Sequence, residues 1–327
     1  MSKLVTIYGG SGFIGRYIAR RMAAKGWRVR VAVRRPNEAI FVRPYGVVGQ
    51  VEPVLCNVRD DESVRSAMAS ADAVVNCVGI LAEIGKNTFD DIQADGAARI
   101  GRLAAEVGVA SLVHISAIGA DADSDSDYAR TKGIGEAAMR EAFPDCVIFR
   151  PSVVFGPEDQ FFNRFAGMAR MSPFIPLVGA GTRFQPVYVD DVAQAASEAA
   201  MGAVSPGIYE LGGADTASFR ALIQQMLTVI HRRRLIIGLP FWIGRLMAFG
   251  FDTLQLLSFG LIPNTALTKD QIRNLARDNV VTEGAKSFDD LKIKPTALAS
   301  VLPEYLWRFR PSGQFDAIKD SARNLKS

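Results

Sequence analysis

The sequence predicts an α/β protein with a mostly parallel, doubly wound sheet, a smaller C-terminal lobe and an amphipathic C-terminal extension. Two observations carry this. Short, almost wholly apolar strand-like runs alternate with helix-periodic segments through the first 155 residues, the pattern of a parallel sheet covered on both faces. The first of these runs ends in a glycine-rich loop that opens a helix, which is the arrangement of a Rossmann-type nucleotide fold.

The elements follow in order. "KLVTIY" (3–8) is a β-branched strand ending at glycines, and "FIGRYIARRMAAK" (13–25) places Ile14, Ile18 and Met22 at helical spacing before Gly26 stops it. Strands are predicted at 28–33 and 51–58, then a helix from "DDESVRSAMAS", a strand at 71–79 and a long amphipathic helix at 89–108. A fifth strand at 111–117, a helix near 128–142 and a sixth strand at 146–154 complete the series. The alternation weakens after about residue 155, so residues 1–155 are expected to be a dinucleotide-binding core. Residues 156–327 are expected to be a smaller lobe and extension, of which later segments can rejoin the sheet.

With 49% hydrophobic and 22% charged residues, the 327-residue chain can bury a sizeable core. A net charge of +4 is too mild to indicate nucleic acid. Three scattered cysteines, Cys56, Cys77 and Cys146, suit a reducing compartment, and two histidines far apart in sequence give no metal site. No secretory signal precedes the first strand, which favours a cytoplasmic setting. His114 reads as a packed strand residue. Asp190 and Asp191, between a strand and a helix, read as helix caps.

The loop "YGGSGFIGR" holds Gly9, Ser11, Gly12, Phe13, Ile14, Gly15 and Arg16 as candidate cofactor residues. Gly9 permits the tight turn, Gly12 lets backbone approach a pyrophosphate and Gly15 lets the helix pack closely. The helix N-terminus then offers N–H groups and partial positive charge to phosphates. At the end of the second strand, where an NAD site carries a carboxylate, stand Arg34 and Arg35. Arginine suits a 2′-phosphate through paired, charge-assisted hydrogen bonds, so NADP(H) is expected rather than NAD(H), with Arg16 able to add to the patch. Tyr128 and Lys132 are four apart on one helix face; an ammonium there would lower the phenol's pKa and make an acid-base pair.

Gly9–Gly15, "NCVG" (76–79), Tyr128-x-x-x-Lys132, "RPSVVFGPED" (150–159) and "QPVYVDDVA" (185–193) occur in this order. Together they resemble the extended or atypical short-chain dehydrogenase/reductase superfamily. The resemblance places Val78 and Gly79 beside the adenosine ribose and phosphates, Asn57 and Val58 beside the adenine, and Pro151 and Val153 near the nicotinamide. Lys132 would hold the nicotinamide ribose. An active member also needs a hydroxyl just past the fifth strand. Here Ser116 at the strand end is followed by Ala117 and Ile118, and the loop to Tyr128 is a short acidic run in which Ser124 and Ser126 read as solvated or capping residues. Cofactor binding, with Ser116 in its lining, is therefore expected without substrate turnover.

Within the superfamily, 128–166, 185–193 and "IKPTALASVLPEYLWRFRP" (293–311) are similar to the NADPH-binding accessory subunits of respiratory complex I. That resemblance implies a structural NADPH and association with core subunits near the quinone-reducing arm. It implies a peripheral place on the cytoplasmic face of a bacterial inner membrane, or on the matrix side in a mitochondrion. A free-standing NADP-dependent reductase or epimerase is the alternative. The basic run His231–Arg232–Arg233–Arg234 precedes a largely apolar stretch, 235–263, whose charges are Arg245 and Asp252. A membrane span, ordinary core helices and an interfacial or partner-docking helix all compete for it. The arginines favour docking to membrane-surface lipid or a partner, with Arg232, Arg233, Arg234, Trp242, Arg245 and Phe249 as candidate contacts.

Overall fold

The structure, a computed structural model, describes residues 2–83, 85–257 and 268–315, with the side chains of 251–257 and of Gln314 outside the description. The six apolar runs become β1 Leu4–Tyr8, β2 Arg28–Val33, β3 Val51–Leu55, β4 Ala73–Asn76, β5 Ser111–Ile115 and β6 Val147–Pro151. Short strands follow: β7 Val154–Phe155, β8 Phe174–Val178, β9 Arg183–Phe184 and β10 Val187–Tyr188. Then come β11 Gly207–Leu211, β12 Ala217–Ser218 and β13 Leu235–Leu239. The main sheet is seven-stranded and parallel, in the order β11-β6-β5-β4-β1-β2-β3. Chain order reverses on either side of β1, so a crevice is expected beyond the carboxyl ends of β1 and β4.

The helices are α1 Phe13–Ala24, α2 Asp61–Met68, α3 Asp95–Val107, α4 Asp127–Ala142, α5 Phe162–Met171, α6 Val189–Ala200, α7 Phe219–Val229, α8 Phe241–Leu257, α9 Lys269–Leu275 and α10 Leu298–Leu306. Successive strand residues point to opposite faces. Val5 and Ile7 pack with Ile18 and Met22 of α1 and Val192 and Ala196 of α6. Tyr8 and Val74 pack with Val64 of α2, Ile100 of α3 and Met139 of α4. Each fully buried aliphatic side chain here contributes roughly 1.5–3 kcal/mol of transfer free energy. A third core joins Phe162 of α5, Leu222 of α7 and Leu302 of α10 into the second lobe.

Two segments that carried the resemblance lock onto earlier ones. Tyr305 of α10 donates to the buried carboxylate of Asp159 at 2.6 Å. Asp191 accepts from the backbone N–H and hydroxyl of Thr296 at 2.6 and 2.9 Å. The expectation that Asp190 and Asp191 cap a helix is corrected here. The residue before α6 is Tyr188, without a side-chain cap, and both aspartates lie in its first turn with distant partners. Asp190 makes a two-pronged pair with Arg21 at 2.7 and 2.8 Å, tying α6 to α1.

The reading of 235–263 as one helix is also corrected. Residues 235–239 form β13, parallel to β8, and the apolar run Leu-Ile-Ile-Gly-Leu extends up to Pro240, whose missing N–H disfavours a helix running through it. The helix starts after that proline. Gly244 rests against Val178, while Trp242, Arg245, Leu246 and Phe249 share the exposed face. The side chain of Asp252, the second charge of this stretch, is not described, and 258–263 lie outside the described residues. Among the described residues, no helix is long and apolar enough to cross a membrane.

Candidate dinucleotide site

At the carboxyl end of β1 the chain turns through Gly9, whose φ of +72° lies in the region that favours glycine. A Cβ there would sit 3.2 Å from the backbone of Cys77, so the loop after β4 closes over it. Gly12 precedes α1, whose first turn has neither a capping side chain nor an acidic residue. Its leading N–H groups are thus left for an anion. A Cβ on Gly15 would meet the Gly9 carbonyl oxygen at 2.5 Å and the Gly10 Cα at 2.7 Å, so α1 packs directly on the loop. Phe13 stacks edge-on with Tyr17, and Ile14 packs on the core beneath. The Arg16 guanidinium folds back to the carbonyls of Ser11 and Gly12 at 3.0 and 3.2 Å and lies 3.6 Å from Glu158.

The carboxyl end of β2 is basic. Arg34, just beyond β2, donates to the side-chain oxygen of Asn87 at 3.1 Å, while Arg35 is exposed and paired with Glu38 at 3.0 Å. Asn57 accepts from the Arg59 backbone N–H, and Arg59 reaches across to the Lys86 carbonyl at 2.8 Å. Val58 is buried against Gly96. Arg59 and the 86–87 turn are thus neighbours of this end that the sequence reading missed. Arg59 is two residues from Asn57, a signal that could have drawn attention to it.

Across the crevice, the ends of β4 and β5 meet α4. Val78 donates to the Asn76 side-chain oxygen at 3.0 Å, which turns the Asn76 amide nitrogen toward His114 Nδ1 at 3.1 Å. His114 Nδ1 therefore accepts, and the proton of the neutral ring sits on Nε2. Burial, with Lys132 nearby, pushes the His114 pKa down to about 3. Lys132 is buried and donates to the Ile115 carbonyl at 3.2 Å; a Cβ on Gly79 would lie 3.3 Å from its Nζ. Burial drives its pKa down to about 8. At the far edge, Pro151 accepts from the Ile118 N–H, and the Val153 N–H donates to Asn279.

Tyr128 departs from the acid-base expectation. Its phenol is pushed up to about 12, by burial and by the Asp270 carboxylate, instead of being lowered by Lys132. Asp270, in the first turn of α9, accepts from the Ser126 hydroxyl at 3.1 Å and from the Asp127 and Tyr128 backbone N–H groups at 2.7 and 3.3 Å. Arg273 adds a hydrogen bond to the Asp125 carbonyl at 2.8 Å. The first turn of α9 thus lies over the start of α4. This also corrects the picture of a solvated 124–126 loop: Ser126 does cap α4, but both Ser124 and Ser126 are buried. Nothing local in the sequence marks Asp270, since its partners are more than 140 residues away.

Do these residues fit a nicotinamide dinucleotide? Among the described residues, the buried side-chain atoms without a partner are Gln93 Oε1, His114 Nε2 and Ser116 Oγ. Ser116 follows β5, His114 lies within it, and Gln93 donates to Ile80 just past β4. Unpaired buried polar atoms are costly, and a polar ligand that reached them would offset that cost. With the glycine turn, the open helix N-terminus and the basic carboxyl end of β2, the residues fit.

The family model for the NAD dependent epimerase/dehydratase family matches residues 5–212. The chain belongs to this family. The Arabidopsis thaliana protein "NADH dehydrogenase [ubiquinone] 1 alpha subcomplex subunit 9, mitochondrial" is 33% identical over 316 residues, covering 95% of this chain and 79% of that protein. The protein of the same name from Dictyostelium discoideum is 30% identical, with 96% and 87% covered. In both the similarity reaches well past the family match into the C-terminal third. Among solved structures, Thermus thermophilus UDP-glucose 4-epimerase in complex with NAD superposes with a TM-score of 0.65 at 17% identity, covering 94% of this chain and 99% of that one. That likeness is one of fold.

Proposed function

We propose that this chain is an NADP(H)-holding accessory subunit of respiratory complex I that does not itself turn over a substrate. It associates with core subunits near the quinone-reducing arm and lies peripherally on the membrane face from which that arm projects. That face is cytoplasmic in a bacterium and matrix-side in a mitochondrion. The name and near full-length coverage of the mitochondrial relatives support the assembly. The observation that carries the non-catalytic reading is Tyr128, a half-buried residue whose phenol is raised to about 12 and whose backbone N–H is held by the first turn of α9. At neutral pH such a phenol holds its proton and is a poor base. Just past β5, Ala117 and Ile118 offer no hydroxyl to polarise a carbonyl.

The dinucleotide itself would supply hydride chemistry if a substrate reached it. The chain's own residues do something else. The first turn of α1 holds the pyrophosphate, Arg34 the 2′-phosphate and Lys132 the nicotinamide ribose. Replacing Tyr128 with Phe in a strain lacking the native chain should leave membrane NADH:quinone activity within about twofold of wild type. A loss of tenfold or more would return the phenol to catalysis.

The NADP preference rests on Arg34, which stands where a carboxylate would otherwise meet a ribose hydroxyl and donates to the neutral side chain of Asn87. Arg34→Asp should weaken NADPH binding by about tenfold to a hundredfold, the worth of one to two charge-assisted hydrogen bonds, with NADH binding little changed. Equal NADPH affinity in the variant, measured by fluorescence titration, would overturn the assignment.

A further inference from the structure

A groove of about 740 Å³ runs along α7, walled on its other side by the start of β13. Arg220, His231, Arg232, Arg233, Arg234 and Leu235 line it, and no carboxylate does. Among the described residues none of these four arginines has an ion-pair partner. Three are steadied by backbone carbonyls: Arg220 on Ile236, Arg232 on Phe309, and Arg234 on both Ala169 and Arg233. Each guanidinium keeps further N–H groups for a ligand. Favourable interaction with the helix macrodipole explains cations after the C-terminus of α7, but it does not explain Arg220. That residue sits in the first turn of α7, where positive charge is disfavoured, and still faces the same groove.

A second observation lies at the turn into the groove. His231 has φ of +52°, a left-handed conformation that costs a non-glycine residue about 1–2 kcal/mol. The Arg232 N–H closes back on the Leu227 carbonyl, so this strained turn aims residues 232–234 along α7. A third concerns the chain that leaves the groove. Leu235, which lines the groove, and Ile237 are exposed on β13, and Trp242, Leu246 and Phe249 are exposed on the helix that follows. Charge selects a phosphate or another anion; the exposed apolar side chains of the segment that follows select an anion attached to a hydrocarbon phase.

We infer that this groove is a built phosphate site whose occupant is the headgroup of an anionic phospholipid. The inference rests on the membrane-facing placement proposed above and adds to it a defined recognition site. The guanidinium forks give paired hydrogen bonds to phosphate oxygens, a geometry that an ammonium or a diffuse basic surface does not supply.

The test uses the full chain in co-sedimentation with three vesicles: phosphatidylcholine alone, phosphatidylcholine with phosphatidylglycerol, and phosphatidylcholine with oleate at matched surface charge. Binding is expected to the phosphatidylglycerol vesicles, about tenfold weaker to oleate and absent from phosphatidylcholine alone. Arg220→Lys and Arg233→Lys keep the charge and should each weaken binding about tenfold, with the thermal midpoint and NADPH binding as controls for folding. Lysine variants that bind like wild type, or oleate vesicles that bind as well as phosphatidylglycerol, would overturn the phosphate site while leaving membrane placement standing. Binding of inorganic phosphate in solution without vesicle binding would make the source a free phosphate and overturn the lipid. No binding to any vesicle would overturn both the site and the membrane-facing placement.

Discussion

Gly15→Ala is expected to strip the chain of its dinucleotide. The added Cβ would stand 2.5 Å from the Gly9 carbonyl oxygen and 2.7 Å from the Gly10 Cα. Both obstacles are backbone atoms of the turn that cradles the phosphates, so no side chain can swing away. Helix α1 must move outward instead. Overpacking of this kind costs about 1–3 kcal/mol of stability. The larger effect is on binding, because the shift carries the free N–H groups of α1 off the pyrophosphate. An NADPH affinity at least tenfold to a hundredfold lower is expected, read by fluorescence titration and by loss of the thermal shift that bound ligand gives. Gly26→Ala is the control. It sits at positive φ, +79°, and nothing lies within 4 Å of its Cβ. It should lose about 1 kcal/mol of stability and keep its NADPH. Equal affinity in the Gly15 and Gly26 variants would remove the phosphate cradle from the glycine loop.

Lys132→Met is expected to separate stability from binding. Lys132 is buried, and folding lowers its pKa from 10.5 to about 8. Between those values the unfolded chain holds more protons than the folded one, so this residue's contribution to stability rises with pH through that window. In the cofactor-free protein, the stability of wild type relative to Lys132→Met should therefore climb by up to roughly 3 kcal/mol from about pH 8 to about pH 10.5. Taking the difference between the two proteins cancels groups that do not feel Lys132, such as Tyr128, raised to about 12; the Cys77 thiol, which Lys132 holds down against burial, is not among them. NADPH affinity should fall about tenfold or more in the variant. In wild type it should decline as pH passes about 8, because the ammonium, not the amine, holds the ribose. A flat difference curve in denaturant titrations across this range would mean that Lys132 is not a strained buried cation.

Much of the fold was legible because the signals were local. β1, β2 and β4 are short apolar runs bounded by glycine or polar residues, and α1 and α3 carry clear helical spacing. The glycine turn and its strand and helix followed from three residues at fixed offsets. What was not legible depends on partners far along the chain. That later segments can rejoin the sheet was expected, but not which one: β11 returns to lie beside β6 after more than 50 intervening residues. β13 resembles the start of an apolar helix until its pairing with β8 is known. Asp270 and Asn279 are ordinary polar residues in sequence. Only folding brings the first to the start of α4 and the second to Val153. Tyr128 is the instructive case. Its spacing from Lys132 suggests an activated phenol, yet burial and a distant carboxylate set its proton affinity in the opposite direction.

The most direct measurement is mild detergent extraction of native membranes, a native gel, and nucleotide analysis of the band that contains this chain. The chain is expected to migrate with NADH:quinone oxidoreductase activity and to release NADP(H) in equimolar amount on denaturation. A chain that migrates as a free soluble species, or that joins the complex without nucleotide, would contradict a structural NADP(H)-holding subunit.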